Sequence, residues 1–368
     1  MSKHAYVIAA RRSAVMAQNG AFADVALHDL CAPVISATLS DAKLDSAQVD
    51  ELILSNALYG GGNPARMAAQ AAGLPNRVAG LSIDRQCVGG LDAILLATQM
   101  IQSGSSHAVI AGGGESASMR PIRMTQGKNG APPVSYDRPA FSPFANQDPD
   151  LHVAANALNI PRNAQDNWAI ESHAKAIQHR ADLRREIVPI AGAGETDGFT
   201  RVLSPALCQR AKPIISDITA ANTAISADGA AFVLVVSEQM LKSLGNPPAL
   251  RIVNGITLGG DSSQPALVPI GAIENCLNQT GMAVDSLTQC EIMEAYAAQA
   301  IACVNGAYLD ADRVNIKGGA LARGHPIGAS GAILAVRLFH DLVQKNGGTG
   351  LAAIAAAGGL GTALILAS

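Results

Sequence analysis

Two residues of this chain are placed to carry group-transfer chemistry, and both sit on glycine-flanked turns. Cys87 lies in Asp84-Arg85-Gln86-Cys87-Val88-Gly89-Gly90-Leu91, where a short strand, Leu81-Ser82-Ile83, turns into a helix. Unpaired N–H groups at a helix start carry partial positive charge, which favours a thiolate. Gly89 and Gly90 let a substrate or a second loop approach the sulfur with no Cβ in the way. His325 lies in Gly324-His325-Pro326-Ile327-Gly328-Ala329-Ser330-Gly331. There Pro326 and the nearby glycines hold the imidazole at the head of another helix. Taken singly, Cys87 reads equally as a buried structural thiol, whereas the glycine-rich loop around His325 favours a functional imidazole. Taken together, on loops that face one another, they form the activated nucleophile that acyl transfer requires.

Facing loops follow if the chain is an internal duplication. Residues 39–49 can be laid on 277–287 at an offset of 238, and the helix opened by Gly90 has a counterpart at Gly331, offset 241. In the first copy Leu91, Ile94, Leu95, Thr98 and Ile101 follow helical spacing, Gly104 supplies a stop and His107-Ala108-Val109-Ile110-Ala111 reads as a buried strand. The second copy repeats the order, with Leu334, Leu338 and Leu342 on one helical face, Asn346-Gly347-Gly348 as the stop and Leu351-Ala352-Ala353-Ile354 as the strand. Alternating strands and helices predict a layered α/β architecture with mixed sheets covered on both faces.

Two glycine turns are further candidates. Gly112-Gly113-Gly114-Glu115-Ser116 reads as a turn closing tightly packed structure, and Ala357-Gly358-Gly359-Leu360-Gly361 as a source of backbone N–H groups for an oxyanion. Neither ends in the Lys-Ser/Thr of a phosphate loop. The charge-free tail from Gly347 to Ser368 would attract a hydropathy window, but its glycines and short apolar runs predict two buried strands joined by a turn rather than a membrane anchor. Between the copies, residues 119–216 turn polar and rich in Pro, Arg, Asp and Asn. Trp168, Ile170, Ala174, Ile177 and Ala181 predict a helix there, so the insertion is folded and fit to carry function.

Composition narrows the classes. Hydrophobic residues are 49% and charged residues 15% of 368, which is enough apolar material for a large core and argues against disorder. Aromatics are 3% and the net charge is −3, with no basic run, so neither nucleic acid nor an anionic membrane is the expected partner. Cys31, Cys87, Cys208, Cys276, Cys290 and Cys303 include no CxxC pair and no zinc spacing, so no metal site is expected and the thiols read as reduced and cytoplasmic. Met1-Ser2-Lys3 leads almost directly into a strand, with no signal peptide visible.

With these residues assembled, the chain resembles the thiolase family over nearly its whole length. The matching blocks are Asn63-Pro64-Ala65-Arg66-Met67-Ala68-Ala69, the Cys87 turn, Gly112-Gly113-Gly114-Glu115-Ser116, Asp228-Gly229-Ala230-Ala231, Glu294-Ala295-Tyr296-Ala297-Ala298-Gln299 and Gly324 to Gly331. The resemblance implies a duplicated five-layer α/β/α/β/α fold with an inserted loop domain that binds coenzyme A. It divides the chain into an N-terminal half (1–118), the loop domain (119–216), a return to the first half (217–246) and a C-terminal half (247–368). It implies an acyl-CoA-dependent acyltransferase in which Cys87 takes the acyl group as a thioester and His325 activates the sulfur. The backbone of Cys87 and Ala357 would form the oxyanion hole, a coenzyme A thioester would be the substrate, and no cofactor would be held covalently. A homodimer or homotetramer is implied, or a hetero-oligomer with an active relative.

The chain departs from that family where proton transfer is concerned. The second cysteine of the Cys-x-Gly motif is Ala355, followed by Ala356-Ala357, and the asparagine that helps the oxyanion hole is Met293. Near the expected coenzyme site the serine is Ala224, a glycine is Ala221, and Lys212 stands where an arginine is common. Losing one oxyanion donor costs about 10²–10³ in rate, and losing positioned acid–base help about 10²–10⁴. Acylation of Cys87 needs neither. Two alternatives follow: a non-catalytic thiolase-like subunit that pairs with an active partner or only binds acyl-CoA, or recruitment of Cys290 or Cys303 as the proton shuttle.

Overall fold

The apolar strands of the two halves build equivalent sheets. The computed structural model describes residues 4–190, 193–345 and 347–368. Its first half contributes β1 (Ala5–Ser13), β2 (Glu51–Ser55), β3 (Leu81–Ile83), β4 (Ala108–Glu115) and β5 (Ala227–Ser237), in the spatial order β1-β5-β4-β2-β3. The second contributes β6 (Leu250–Gly259), β7 (Gln289–Ile292), β8 (Thr349–Ala356) and β9 (Leu360–Ala367), in the order β6-β9-β8-β7. Directions agree position by position. β1–β5 and β5–β4 are antiparallel and β4–β2 parallel, as β6–β9 and β9–β8 are antiparallel and β8–β7 parallel. The sheets join edge to edge where Tyr6 and Val7 pair with Arg251 and Leu250.

The principal helices are α1 (Leu27–Ala42), α2 (Pro64–Ala71), α3 (Gly89–Ser103), α4 (Leu151–Asn156), α5 (Arg162–Gln178), α6 (Val268–Thr280), α7 (Ala297–Gly306) and α8 (Ile327–Gln344). Strand alternation sorts the side chains into layers. Along β5, Phe232, Leu234 and Val236 face α1 and α2, while Val233 and Val235 face inward onto α3 and α8. On the far sheet Ile354 and Leu364 meet the same inner pair of helices, and Leu351 and Ile365 meet α6 and α7. The result is the five-layer α/β/α/β/α stack. The duplication is written into the termini as well. α1 ends at Lys43 and α6 at Gly281, both left-handed (φ 51° and 68°), and each leads into one 3₁₀ turn, Ser46–Gln48 or Val284–Ser286.

The inner helices touch where the duplicated glycines lie. A Cβ on Gly331 would come within 2.6 Å of Leu91 N, and one on Gly90 within 2.5 Å of Ala332 N. Backbone therefore packs on backbone at the starts of α3 and α8, which brings the two preceding loops together. Gly331→Ala is expected to cost about 1–3 kcal/mol through overpacking. The check is the urea midpoint, which should fall; an unchanged midpoint would show that the crossing can relax.

Some expectations need correcting. Gly112–Gly114 are not a turn but the interior of β4, and they are glycine because a Cβ there would strike Ala231 O, Gly328 O and Cys31 Sγ. The insertion helix forms as α5, but its buried face is Gln165, Ala169, Ser172, His173 and Ala176, with Ala174 exposed. The helix packs on a buried carboxylate, Glu294, which takes hydrogen bonds from Ser172 Oγ (2.8 Å) and Trp168 Nε1 (3.0 Å), so its polar residues face inward. Asn346 of the second stop and Met1–Lys3 lie outside the described residues. The tail forms β8 and β9, joined through left-handed Gly358 and Gly359. Among the described residues no helix is long and apolar enough to cross a membrane. The polar stretch 119–216 touches the main sheet at Ile187 and Val188, beside Arg12 and Ser13 of β1. There Glu186 bridges the buried Arg12 and Arg337.

Candidate active site

Cys87 and His325 stand 238 residues apart, the offset of the duplication, and their side chains meet. Cys87 lies in the 3₁₀ turn Gln86–Val88 that leads into α3. Gln86 before it is left-handed at φ 51°, an arrangement that costs a non-glycine residue about 1 kcal/mol or more. The Asp84 carboxylate holds the turn by accepting from Gln86 N at 2.9 Å. Val88, buried in the core, anchors the other side of the sulfur. His325 is fixed by its N–H, which donates to Ile225 O at 2.9 Å, and by Gly324, whose φ of 110° suits only glycine. Pro326 caps α8, whose first turn donates Gly328 N–H to the Glu115 carboxylate at 3.0 Å.

The hydrogen bonds determine which imidazole nitrogen carries the proton. Ser330 Oγ donates to Pro326 O at 2.9 Å, so its one hydrogen is committed and it accepts from His325 Nδ1–H at 2.6 Å. His325 Nε2 is therefore a lone pair, and it faces Cys87 Sγ at 3.2 Å. Burial pushes the Cys87 thiol up to about 12, against the lowering effect of its own backbone N–H, with Glu115 and Asp84 adding to the rise. Burial, aided by the Arg323 charge, brings His325 down to about 4. The helix start does not produce a resting thiolate, because desolvation outweighs it. At neutral pH the pair therefore rests as neutral thiol and neutral imidazole.

Ser330→Ala leaves Nδ1–H without its acceptor and frees the ring to change tautomer. A buried donor left unpaired costs about 1–3 kcal/mol, so alkylation of Cys87 by iodoacetamide should slow by roughly ten-fold. An unchanged rate would mean that the loop alone fixes the ring.

The sulfur opens into a cavity of about 180 Å³. One wall is Leu151, Ala154 and Ala155 of α4 with Pro265 and Ala266, and another is Ala355, Ala356 and Ala357. The third is polar and comprises His152, Thr223, Tyr296 and Gln299. Ala355 thus presents only a methyl group at the cavity, and Ala357 lines it at the glycine turn. Met293 does not reach the cavity lining; it is buried in the inner core near α3 and α8. Ala224 lines the cavity, Ala221 is packed against Leu203, Cys208 and Leu321, and Lys212 is exposed on the surface. Cys290 and Cys303 sit in the outer core with Ala272, Ile273 and Leu287, away from the cavity lining, which removes them as proton shuttles. Sequence reasoning did not find His152, Thr223 or Gln299. Among the described residues, no group of three or more His, Cys, Asp or Glu side chains is arranged to hold a metal.

Residues 5–239 match the family "Thiolase, N-terminal domain" and residues 246–368 match "Thiolase, C-terminal domain". The chain belongs to the thiolase family. This thiolase is 37% identical to the Bacillus subtilis (strain 168) protein named "Putative acetyl-CoA C-acetyltransferase YhfS", over 98% of each chain. It is 33% identical, again over 98% of each, to the Staphylococcus aureus (strain COL) protein named "Putative acetyl-CoA C-acetyltransferase VraB". Among solved structures it is similar to Bacillus anthracis acetyl-CoA acetyltransferase, with TM-score 0.93, 30% identity and coverage of 100% of this chain and 99% of that one. Human mitochondrial 3-ketoacyl-CoA thiolase in complex with CoA aligns at TM-score 0.91 and 28% identity, covering 100% and 98%.

Proposed function

We propose that this thiolase transfers a short acyl group from coenzyme A through a thioester on Cys87. The observation that carries the reading is the Cys87 Sγ–His325 Nε2 contact at 3.2 Å, with the ring oriented by Ser330, at the floor of a cavity. As Cys87 Sγ attacks the acyl carbonyl carbon, its proton passes to His325 Nε2. The carbon–sulfur bond to coenzyme A then breaks, and its sulfur leaves with that proton. Backbone N–H groups of Cys87 and Ala357 are assigned to the carbonyl oxygen as charge develops on it. A cavity of about 180 Å³ suits a thioester with a short acyl chain, while drug-sized ligands occupy about 300–1,000 Å³. The nucleotide end of coenzyme A would therefore lie outside it, towards the polar stretch and Lys212. The names of the relatives make acetyl-CoA the first donor to try. Mixing the protein with acetyl-CoA should release one equivalent of free thiol per chain in a burst. Absence of a burst with acetyl-CoA and longer acyl-CoA thioesters would replace this reading with binding of acyl-CoA alone.

A further inference from the structure

The polar wall of the cavity has more hydrogen-bonding capacity than the protein uses. His152 Nδ1, Thr223 Oγ1 and Gln299 Nε2 are each buried with no hydrogen-bond partner among the described residues, and all three residues line the cavity that holds Cys87. Buried polar atoms are normally satisfied, so three orphans on one wall mark a place for polar atoms of a ligand. The wall is assembled deliberately. Thr223 pairs through its backbone with Tyr296, Gln299 Oε1 accepts from Ala295 N at 3.3 Å, and the His152 ring stands edge-on to Tyr296 at 5.5 Å between centroids. His152 is carried on α4, whose start is capped by Asp150 accepting from His152 N at 2.9 Å.

The wall faces a reaction in need of a base. If the acceptor is the C2 carbon of a second thioester, a proton must leave that carbon, and neither Ala355 nor Met293 can take it. Among the described residues, four side chains lining the cavity can exchange a proton: Cys87, His152, Tyr296 and His325. Cys87 is consumed as the thioester. Burial, with Asp150 and Cys87 nearby, raises Tyr296 above its ordinary range, and His325 is a weak base for the reasons given above.

We propose that His152 is the acid–base residue for a carbon acceptor, with Thr223 and Gln299 holding the acceptor's thioester oxygen. The inference rests on the acyl-Cys87 reading. His152 Nδ1 takes the proton from C2 of the second acyl-CoA, and the C–H electron pair becomes an enolate whose oxygen is held by Thr223 Oγ1–H and Gln299 Nε2–H. The enolate carbon attacks the acyl carbonyl on Cys87, the carbon–sulfur bond to Cys87 breaks, and the thiolate is reprotonated with the proton held by His152. The products are a 3-oxoacyl thioester and free Cys87.

The test uses acetyl-CoA in D₂O with wild type and His152→Gln, following deuterium at C2 by mass spectrometry and acylation of Cys87 by intact-protein mass in the same samples. The expected result is exchange in wild type, a fall in exchange in His152→Gln that exceeds any fall in acylation by about 10²–10⁴, and partial recovery of exchange with added imidazole. Exchange unchanged in the variant, or absent from wild type that acylates normally, would overturn the assignment. So would parallel loss of exchange and acylation, since His152 would then be shaping the cavity. If wild type fails to acylate, the acyl-Cys87 reading itself falls, and the two failures are told apart within one experiment.

Discussion

Cys87→Ala should retain the fold and lose acyl-CoA cleavage by a factor on the order of 10⁶, the scale seen when an activated nucleophile is removed from a serine protease. The substitution keeps the Cβ and deletes a sulfur that faces the cavity, so little core packing is disturbed. The backbone that defines the turn, including left-handed Gln86 and its bond to Asp84, does not involve the sulfur. His325 keeps its bond to Ser330 and loses only the sulfur that its Nε2 faces. Steady-state release of coenzyme A thiol, with the circular dichroism spectrum as the fold control, checks this. Cleavage within ten-fold of wild type in a folded variant would mean that another group attacks the thioester.

The second large effect is on pH dependence. His325 must be neutral to accept the thiol proton, and since its ring titrates at about 4 it is neutral from about pH 5 upward. Cys87 at about 12 remains a thiol to beyond pH 10. The rate of Cys87 acylation should therefore be flat from about pH 5 to pH 10, with no limb near neutrality. His325→Ala should lower that rate about 10²–10⁴-fold at pH 7. What remains would follow the thiolate fraction and rise about ten-fold per pH unit. A wild-type limb with a midpoint between about 6 and 8 would indicate a resting thiolate–imidazolium pair instead. The same depression bears on stability. The unfolded ring takes a proton near 6.5 that the buried ring refuses until about 4, so the folded state binds fewer protons in that window. Stability should consequently decline as pH falls from about 6.5 towards 4, and His173, also lowered to about 4 by burial and Arg201, adds to the decline.

What could be read from the chain alone was set by local pattern. Gly104 as a helix stop, the two tail strands around Gly358 and Gly359, and the weak 39–49 to 277–287 repeat all have short-range causes, and each reappears as a left-handed residue, a strand pair or a matched turn. The meeting of Cys87 with His325 could be inferred because the duplication relates their loops. Features decided by distant neighbours could not be read this way. Gly112–Gly114 look like a turn until Gly328, Ala231 and Cys31 are seen pressed against them. The buried face of α5 is polar only because Glu294 lies beneath it. The charge state of Cys87 depends on how far the surrounding layers exclude water, which a helix-start argument does not contain. His152 sits in a polar, irregular stretch with no periodicity, and only the fold brings it to the cavity.

The central claim is the acyl group on Cys87. Intact-protein mass spectrometry after incubation with short and medium acyl-CoA thioesters, run beside Cys87→Ala, tests it most directly. The account expects an adduct of one acyl group on wild type, largest for the shortest chains that fit the cavity, and none on the variant. Equal labelling of both proteins, or no adduct with any donor, would contradict it.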